Sequence, residues 1–232
     1  MSNNIIIATI KEWNIQNYFE LKQKFQDKYN FFLITSNEEL TKEYIDKTNP
    51  KYIFFAHWSW IIPADIYENY ECVVFHMTDL PFGRGGSPLQ NLLQRGIYNT
   101  KISALKVCKE LDAGDIYYKH NVNIELGSAE EIFSKLSKIT FDEVIPKFLS
   151  STLTAKPQTG DIVTFKRRQP HQSDILSIKQ PSLTKIYDFI RMLDAPGYPK
   201  AYIKFDNIKF EFCEVHKKHN KLVGRFEVTN NE

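Results

Sequence analysis

The sequence predicts an α/β fold: a Rossmann-like, mostly parallel sheet flanked by helices, with a small C-terminal α+β part. Three observations carry that expectation. Short apolar runs at 5–10, 31–34, 52–56 and 72–75 recur along the first third of the chain, as strands buried inside a parallel sheet do. Segments with helical patterning separate them. A stretch rich in Ser, Thr, Pro, Gln and Gly at 150–172 then divides the chain, which predicts a first domain over 1–150 and a second part over 151–232.

Taken in order, the Ile-rich run Ile5–Ile10 is a buried strand, and 14–28, with Phe19, Leu21 and Phe25 among charges, is a helix. Phe31–Ile34 is a second strand. Thr35, Ser36 and Asn37 offer N-cap oxygens for a helix from Glu38 to Lys47, because a short polar side chain can accept the unpaired N–H groups of a first turn. Tyr52–Ala56 and Cys72–Phe75 are the third and fourth strands, with a short helix or turn at Pro63–Tyr70 between them. Pro88–Arg95 is helical, Ile102–Cys108 and Asp115–Asn123 are strands, and Ser128 with Glu131 resembles a capping box opening a helix through Phe148. Past the polar stretch, a helix at Leu183–Leu193 precedes an Ala-Pro-Gly-Tyr-Pro turn and strands at 201–205, 208–215 and 221–228.

The 232 residues are 42% hydrophobic, 25% charged and 14% aromatic, with a formal net charge of +2. No basic run is long enough for a phosphate-backbone track, which argues against a nucleic-acid partner. Three Cys, at 72, 108 and 213, form no CxxC and fit a reducing compartment. The apolar run near the N-terminus is too short for a signal peptide or a membrane span. A cytoplasmic enzyme with no membrane partner is expected. No clustered His/Cys/Asp ligand set calls for a metal.

The chemistry concentrates between His76 and Asp112. His76 follows an apolar strand, and ligands of such sheets collect beyond the carboxyl ends of the strands. Phe82, Gly83, Arg84, Gly85 and Gly86 form a loop between Pro81 and Pro88, in which glycine permits positive φ and close approach of a ligand. Arg84 would either grip an anion or pair with Asp79 to hold the loop. Asp112 follows a later strand in Leu111-Asp112-Ala113-Gly114-Asp115. A His–carboxylate pair can move protons near neutral pH.

His76-Met77-Thr78-Asp79-Leu80-Pro81, then Gly83-Arg84-Gly85, then Leu111-Asp112-Ala113-Gly114 together resemble the folate-dependent formyltransferases over residues 3–150. That resemblance implies N10-formyltetrahydrofolate as formyl donor, with His76 and Asp112 catalytic. Thr78 stands where the family has Ser, and Val74 where it has its catalytic Asn; either another donor replaces that amide, with His57 and Asn91 the nearby candidates, or polarisation of the formyl group falls mainly on His76. The resemblance further implies cofactor contacts from Trp58, Ser59, Trp60 and Ile62 and from Leu111, Ala113 and Gly114. Thr78 and residues 82–86 would contact the acceptor. Arg168-x-Pro170 and the Ile186–Ala201 segment are similar to the sugar N-formyltransferases, so the expected partner is a nucleotide-linked amino sugar destined for a surface polysaccharide or flagellin glycan. Arg167, Arg168 and Lys200 are further candidates for its nucleotide. Glycinamide ribonucleotide as acceptor and an inactive folate-binding module are the alternatives. Tyr202, Ile203, Phe205, Phe210 and Phe212 in the second part suit a homodimer or packing on the first domain.

Overall fold

The computed structural model of the protein describes residues 2–230. The elements are β1 (Asn4–Ala8), α1 (Glu12–Phe25), β2 (Asn30–Ile34), α2 (Lys42–Thr48), β3 (Tyr52–Phe55), α3 (Ala64–Tyr67), β4 (Cys72–His76), β5 (Phe82–Gly85) and α4 (Pro88–Gln94). They continue as β6 (Asn99–Lys106), β7 (Ile116–Asn123), α5 (Ala129–Ile139), α6 (Ile145–Ser150), β8 (Val163–Phe165), α7 (Leu183–Arg191), β9 (Ala201–Phe205), β10 (Ile208–Lys218) and β11 (Lys221–Asn230). The chain divides into two compact units. One comprises 1–84, 101–122 and 134–163; the other comprises 85–100, 123–133 and 164–232.

The first unit is built on a six-stranded sheet of order β2-β1-β3-β4-β6-β7. β2, β1, β3 and β4 are parallel, and β6 runs antiparallel to β4. The apolar runs read from the sequence are the four parallel strands, and burial on both faces explains their composition. On one face Ile5, Ile7, Phe54 and Val73 meet Tyr18 and Leu21 of α1 and Phe148 of α6. On the other, Ile6, Ala8, Phe55 and Cys72 meet Ile45 of α2 and Ile66 of α3. The sheet order reverses between β1 and β3, whose carboxyl ends are tied by Asn14. Its buried amide donates to Thr9 Oγ1 at 2.8 Å and to the Ala56 carbonyl at 3.1 Å.

Several elements differ from expectation. The second helix begins at Lys42, capped by Thr41, whose hydroxyl accepts from the Tyr44 N–H at 3.2 Å. Thr35 instead donates its N–H to the Glu39 carboxylate at 2.7 Å, so the earlier polar cluster makes a turn. The capping box at Ser128 and Glu131 forms as read. The helix it opens does not run unbroken to Phe148: α5 gives way to a π-helical turn at Thr140–Val144 before α6. Pro146 lacks the N–H that a continuous helix would use, and a wide turn just before it absorbs the mismatch. The polar stretch 150–172 is ordered against the protein: Lys156 and Ile116 exchange backbone hydrogen bonds at 3.0 and 2.8 Å, and β8 pairs with β5.

The second unit holds a three-stranded antiparallel sheet of order β11-β10-β9 and the helix α7. α7 carries a charged pair in its buried stripe. Arg191, 1% exposed, donates Nε to Asp188 Oδ1 at 2.8 Å and Nη1 to the carbonyls of Ile124 and Gly127 at 3.1 and 2.9 Å. The Tyr98 hydroxyl donates to the other Asp188 oxygen at 2.7 Å. Desolvating a guanidinium is tolerable only with such compensation.

Removing one partner of that pair strands the other charge. Arg191→Leu is expected to cost about 3–5 kcal/mol of stability, whereas Asp188→Leu combined with Arg191→Leu costs less than the two losses summed. Urea unfolding of the three variants measures this.

Candidate active site

His76 is the last residue of β4. Strand alternation puts it on the same face as Cys72 and Val74, while Val73 and Phe75 turn to the other. Val74 packs among the apolar side chains beneath that face and brings no amide to the site. The His76 ring is buried, with Nε2 2.7 Å from the Gly83 carbonyl oxygen. A carbonyl only accepts, so Nε2 carries the hydrogen and donates it. The opposite nitrogen, Nδ1, faces Asp112 Oδ2 at 3.6 Å. That separation suits an ion pair with the protonated ring but exceeds a hydrogen bond.

The surroundings fix this arrangement through backbone atoms. Thr78 is fully buried, and its hydroxyl donates to the same Gly83 carbonyl at 3.2 Å. Ser103, opposite His76 in the β4–β6 register, donates to the Thr78 carbonyl at 2.7 Å. Gly83 has φ +82°, a conformation that costs glycine nothing and a side-chain-bearing residue a great deal. Thr78 thus serves the loop carbonyl.

Asp112 reaches His76 by a route the sequence did not suggest. The two strand ends are not neighbours, because β6 is antiparallel and its last residue, Lys106, pairs with Val73 near the start of β4. The chain leaves the sheet there, with the Val107 N–H on the Cys72 carbonyl at 2.9 Å. It rejoins at Asp115, whose carbonyl accepts from the Lys106 N–H at 2.8 Å. The excursion between them carries Asp112 back to the far end of β4. Asp112 has φ +55°, a left-handed conformation that Asp adopts more readily than most residues. Gly114 closes the excursion so tightly that a Cβ there would lie 1.8 Å from the Lys106 carbonyl oxygen.

A residue that sequence reasoning passed over completes the loop. Gln158 donates Nε2 to the carbonyls of Asp112 and Gly114 at 2.8 and 2.9 Å. Its Oε1 accepts from Arg84 Nε and Nη2 at 3.0 and 2.7 Å. Arg84 therefore does not pair with Asp79, whose carboxylate instead takes Lys119 at 2.5 Å and Lys101 at 3.0 Å. No local pattern marks Gln158, which lies in the polar stretch 150–172 that the sequence reads as dividing the chain.

Of the other expected positions, Trp58, Ser59, Trp60 and Ile62 lie beyond the carboxyl end of β3. The Trp58 ring packs edge-on to Phe55 at 5.8 Å and to Trp60 at 5.0 Å. Its Nε1 is buried without an acceptor among the described residues. Trp60 and Ser59 are exposed and Ile62 is buried. Leu111 is 74% exposed, and the Ala113 N–H donates to the Glu110 carbonyl. Phe82 begins β5, its N–H on the Asp79 carbonyl at 3.1 Å. Gly85 and Gly86 belong to the second unit. The close approach they permit is to their own chain: a Cβ would lie 2.5 Å from the Phe165 carbonyl at Gly85 and 2.6 Å from Arg167 Cβ at Gly86. In the same unit, Arg168 donates to Gln94 Oε1 and the Gln172 carbonyl, and Lys200 pairs with Glu227.

The two candidate replacements for the amide lie in different surroundings. Asn91 is in the second unit, its Nδ2 on the carbonyls of Gly86, Ser87 and Lys166 and its Oδ1 accepting from Arg95. His57 follows β3 with φ +56°, edge-on to Trp13 at 5.9 Å. Burial, and secondarily the Lys11 charge, push its imidazole down to about 4. It is a neutral group near pH 7. Among the described residues, no three His, Cys, Asp or Glu side chains are arranged to hold a metal, and no helix is long and apolar enough to cross a membrane.

The family model described as "Formyl transferase" matches residues 11–146, and that described as "Methionyl-tRNA formyltransferase, C-terminal domain" matches residues 170–229. The chain is 51% identical to a methionyl-tRNA formyltransferase from Clostridium thermocellum of known structure, covering 98% of this chain and 99% of that one with a TM-score of 0.94. The methionyl-tRNA formyltransferase of Lactobacillus gasseri is 27% identical over 184 residues, 77% of this chain and 57% of its own length. The chain thus spans little more than half the length of such curated relatives. A sugar N-formyltransferase from a Shewanella species shares the fold at 14% identity, with a TM-score of 0.68 over 96% of each chain.

These similarities correct the expected partner. A nucleotide-linked amino sugar, with its glycan destination and with nucleic acid excluded, was read from Ile186–Ala201 and from the charge. That segment falls inside the stretch matched by the methionyl-tRNA formyltransferase C-terminal domain. The relatives with substantial sequence identity bear that name too. A net charge of +2 is a sum over the whole surface and does not report how charge is distributed on it.

Two outcomes follow from the geometry. Gly114→Ala drives a methyl group into the Lys106 carbonyl, and a loss of about 1–3 kcal/mol is expected from such overpacking, read as a lowered melting temperature. His57 stays neutral in the folded protein while its unfolded counterpart protonates near pH 6.5. Its contribution is therefore whole above about pH 6.5 and is lost as pH falls toward 4, by at most about 1.4 kcal/mol per pH unit. In His57→Asn, which tolerates the positive φ, urea midpoints between pH 7 and pH 4.5 are expected to fall less steeply than in the unaltered protein.

Proposed function

The chain belongs to the formyltransferase family, and on that premise we propose that it transfers a formyl group from N10-formyltetrahydrofolate to the α-amine of methionyl-tRNA. The His76–Asp112 pair carries the reaction in this reading. The acceptor is taken from the relative that matches the chain at 51% identity over nearly its full length.

The residues present suit a bound pteridine. Trp58 keeps a buried indole N–H with no acceptor among the described residues, Trp60 offers a partly open ring face, and Leu111 an exposed apolar side chain. Trp58, Trp60, Ile62 and the backbone of Leu111–Gly114 would hold the ring. When bound, the folate supplies the formyl group and the nitrogen that leaves it.

The chain's own part is to place and move protons. The α-amine reacts only when neutral, and an ordinary α-amino group titrates at about 7.7–8.0. As the new C–N bond forms, that nitrogen becomes acidic; the Asp112 carboxylate would accept its hydrogen and return it to the departing nitrogen as the old C–N bond breaks, which leaves the carboxylate as it began. The gap of 3.6 Å between Nδ1 and Oδ2 lets one polar group address both residues. With Nε2 committed to Gly83, His76 acts through Nδ1, whose N–H in the protonated ring donates to the developing oxyanion. Val74 has no amide to share that task, so the donation falls on His76.

Charged methionyl-tRNA incubated with N10-formyltetrahydrofolate and the protein is expected to yield N-formylmethionine, identified by mass after deacylation. His76→Ala is expected to lower kcat about 10²–10³-fold, as loss of one oxyanion donor does, and Asp112→Asn to lower it with the melting temperature retained. Glycinamide ribonucleotide turning over while methionyl-tRNA stays unmodified would refute the acceptor and keep the chemistry. Full activity in His76→Ala would refute the assignment of the site.

A further inference from the structure

We propose that Gln158 is the positioning residue of the site: its amide holds the two segments that grip His76 at a fixed spacing, and so sets the alignment of His76 with Asp112. The imidazole is held at Nε2 by the Gly83 carbonyl and faced at Nδ1 by the Asp112 carboxylate. These oxygens come from segments far apart in sequence, and Gln158 touches both. Its Oε1 takes two hydrogen bonds from Arg84, the residue whose nitrogen completes the Gly83 peptide plane. Its Nε2 gives two to the carbonyls of Asp112 and Gly114. Those contacts restrain the Arg84 guanidinium, one residue past Gly83, and the Asp112 and Gly114 carbonyls, and through them the spacing between the two segments.

The chemistry of the four contacts selects glutamine. A guanidinium only donates and carbonyls only accept, so the bridging group needs an acceptor on one side and two N–H hydrogens on the other. A carboxylate would bind Arg84 but face two carbonyl oxygens with a third; an ammonium or guanidinium would repel Arg84. All of the amide's donors and its acceptor oxygen are engaged, so its orientation is determined by its neighbours. The need for an outside brace is local as well. Asp112 is in the left-handed region, which carries a cost for any residue with a Cβ, and the backbone of the excursion that bears it is tied to the sheet at its two ends.

The rate measurements in the test rest on the formyl-transfer reading; a spectroscopic one does not. Gln158→Glu keeps a partner for Arg84 while opposing the Asp112 and Gly114 carbonyls, and Gln158→Leu removes both sets of contacts at similar size. In the full-length protein, the ¹⁵N signals of the His76 ring report hydrogen on each nitrogen. They are expected to shift in both variants toward those of Asp112→Asn. With methionyl-tRNA, kcat is expected to fall about 10–100-fold, in line with a displacement on the order of 1 Å at a reacting group, with KM for either substrate within about 3-fold. Gln158→Glu is expected to retain its melting temperature within a few degrees, separating alignment from stability. Arg84→Met combined with Gln158→Leu is expected to be no worse than the weaker single variant, since both interrupt one chain of contacts. Ring signals like those of the unaltered protein in both Gln158 variants, or losses that add fully with Arg84→Met, would overturn the proposal. Shifted ring signals in a protein that formylates no amine would uphold the positioning role and refute the function.

Discussion

The site depends on an imidazole held between two oxygens of unlike kind. The Gly83 carbonyl can only accept and so decides where the ring hydrogen sits; the Asp112 carboxylate carries charge and so decides what the other nitrogen faces. Much of the surrounding construction serves that opposition. β4 delivers the ring at a strand end, Thr78 braces the carbonyl from a second side, and the excursion after β6 returns the carboxylate to the same place. The scaffold beneath is a parallel sheet whose strands are apolar on both faces, which leaves polar groups to gather past the strand ends.

What could be read in the sequence was whatever obeys a local rule. The parallel strands announced themselves by uninterrupted apolar runs, His76 by its position just past one of them, and Gly114 by its place in Leu-Asp-Ala-Gly. The capping box at Ser128 and Glu131 is a short-range pattern and formed as read. What could not be read was set by partners distant in the chain. The direction of β6 depends on pairing with β4 across about 30 residues, and that direction makes Asp112 arrive by an excursion instead of at a neighbouring strand end. Arg84 met Gln158 across 74 positions, leaving Asp79 to two lysines. The second helix was misplaced because Thr35–Asn37 and Thr41 are equally good caps in composition, and only the turn at 36–40 separates them.

The two units solve burial differently. In the first, aromatic and aliphatic side chains fill both faces of the sheet. In the second, α7 turns an arginine and an aspartate inward and recruits Tyr98 and two backbone carbonyls as partners, leaving Arg191 Nη2 buried without one among the described residues. Such a pair adds little net stability but is expensive to break. It therefore favours one register of α7 against the 123–127 segment over alternatives that an apolar contact would tolerate.

The excursion carrying Asp112 opens and closes on the same residue, with Val107 leaving and Asp115 returning on either side of Lys106. Whatever happens within it is thereby insulated from the register of the sheet. Residues can be gained or lost between Cys108 and Leu111 without moving a single strand, so long as the aspartate and the glycine keep their distance from the point of return. A lineage could vary this stretch freely and keep its scaffold, which makes it the place where new surface can be acquired at least risk to the reacting groups.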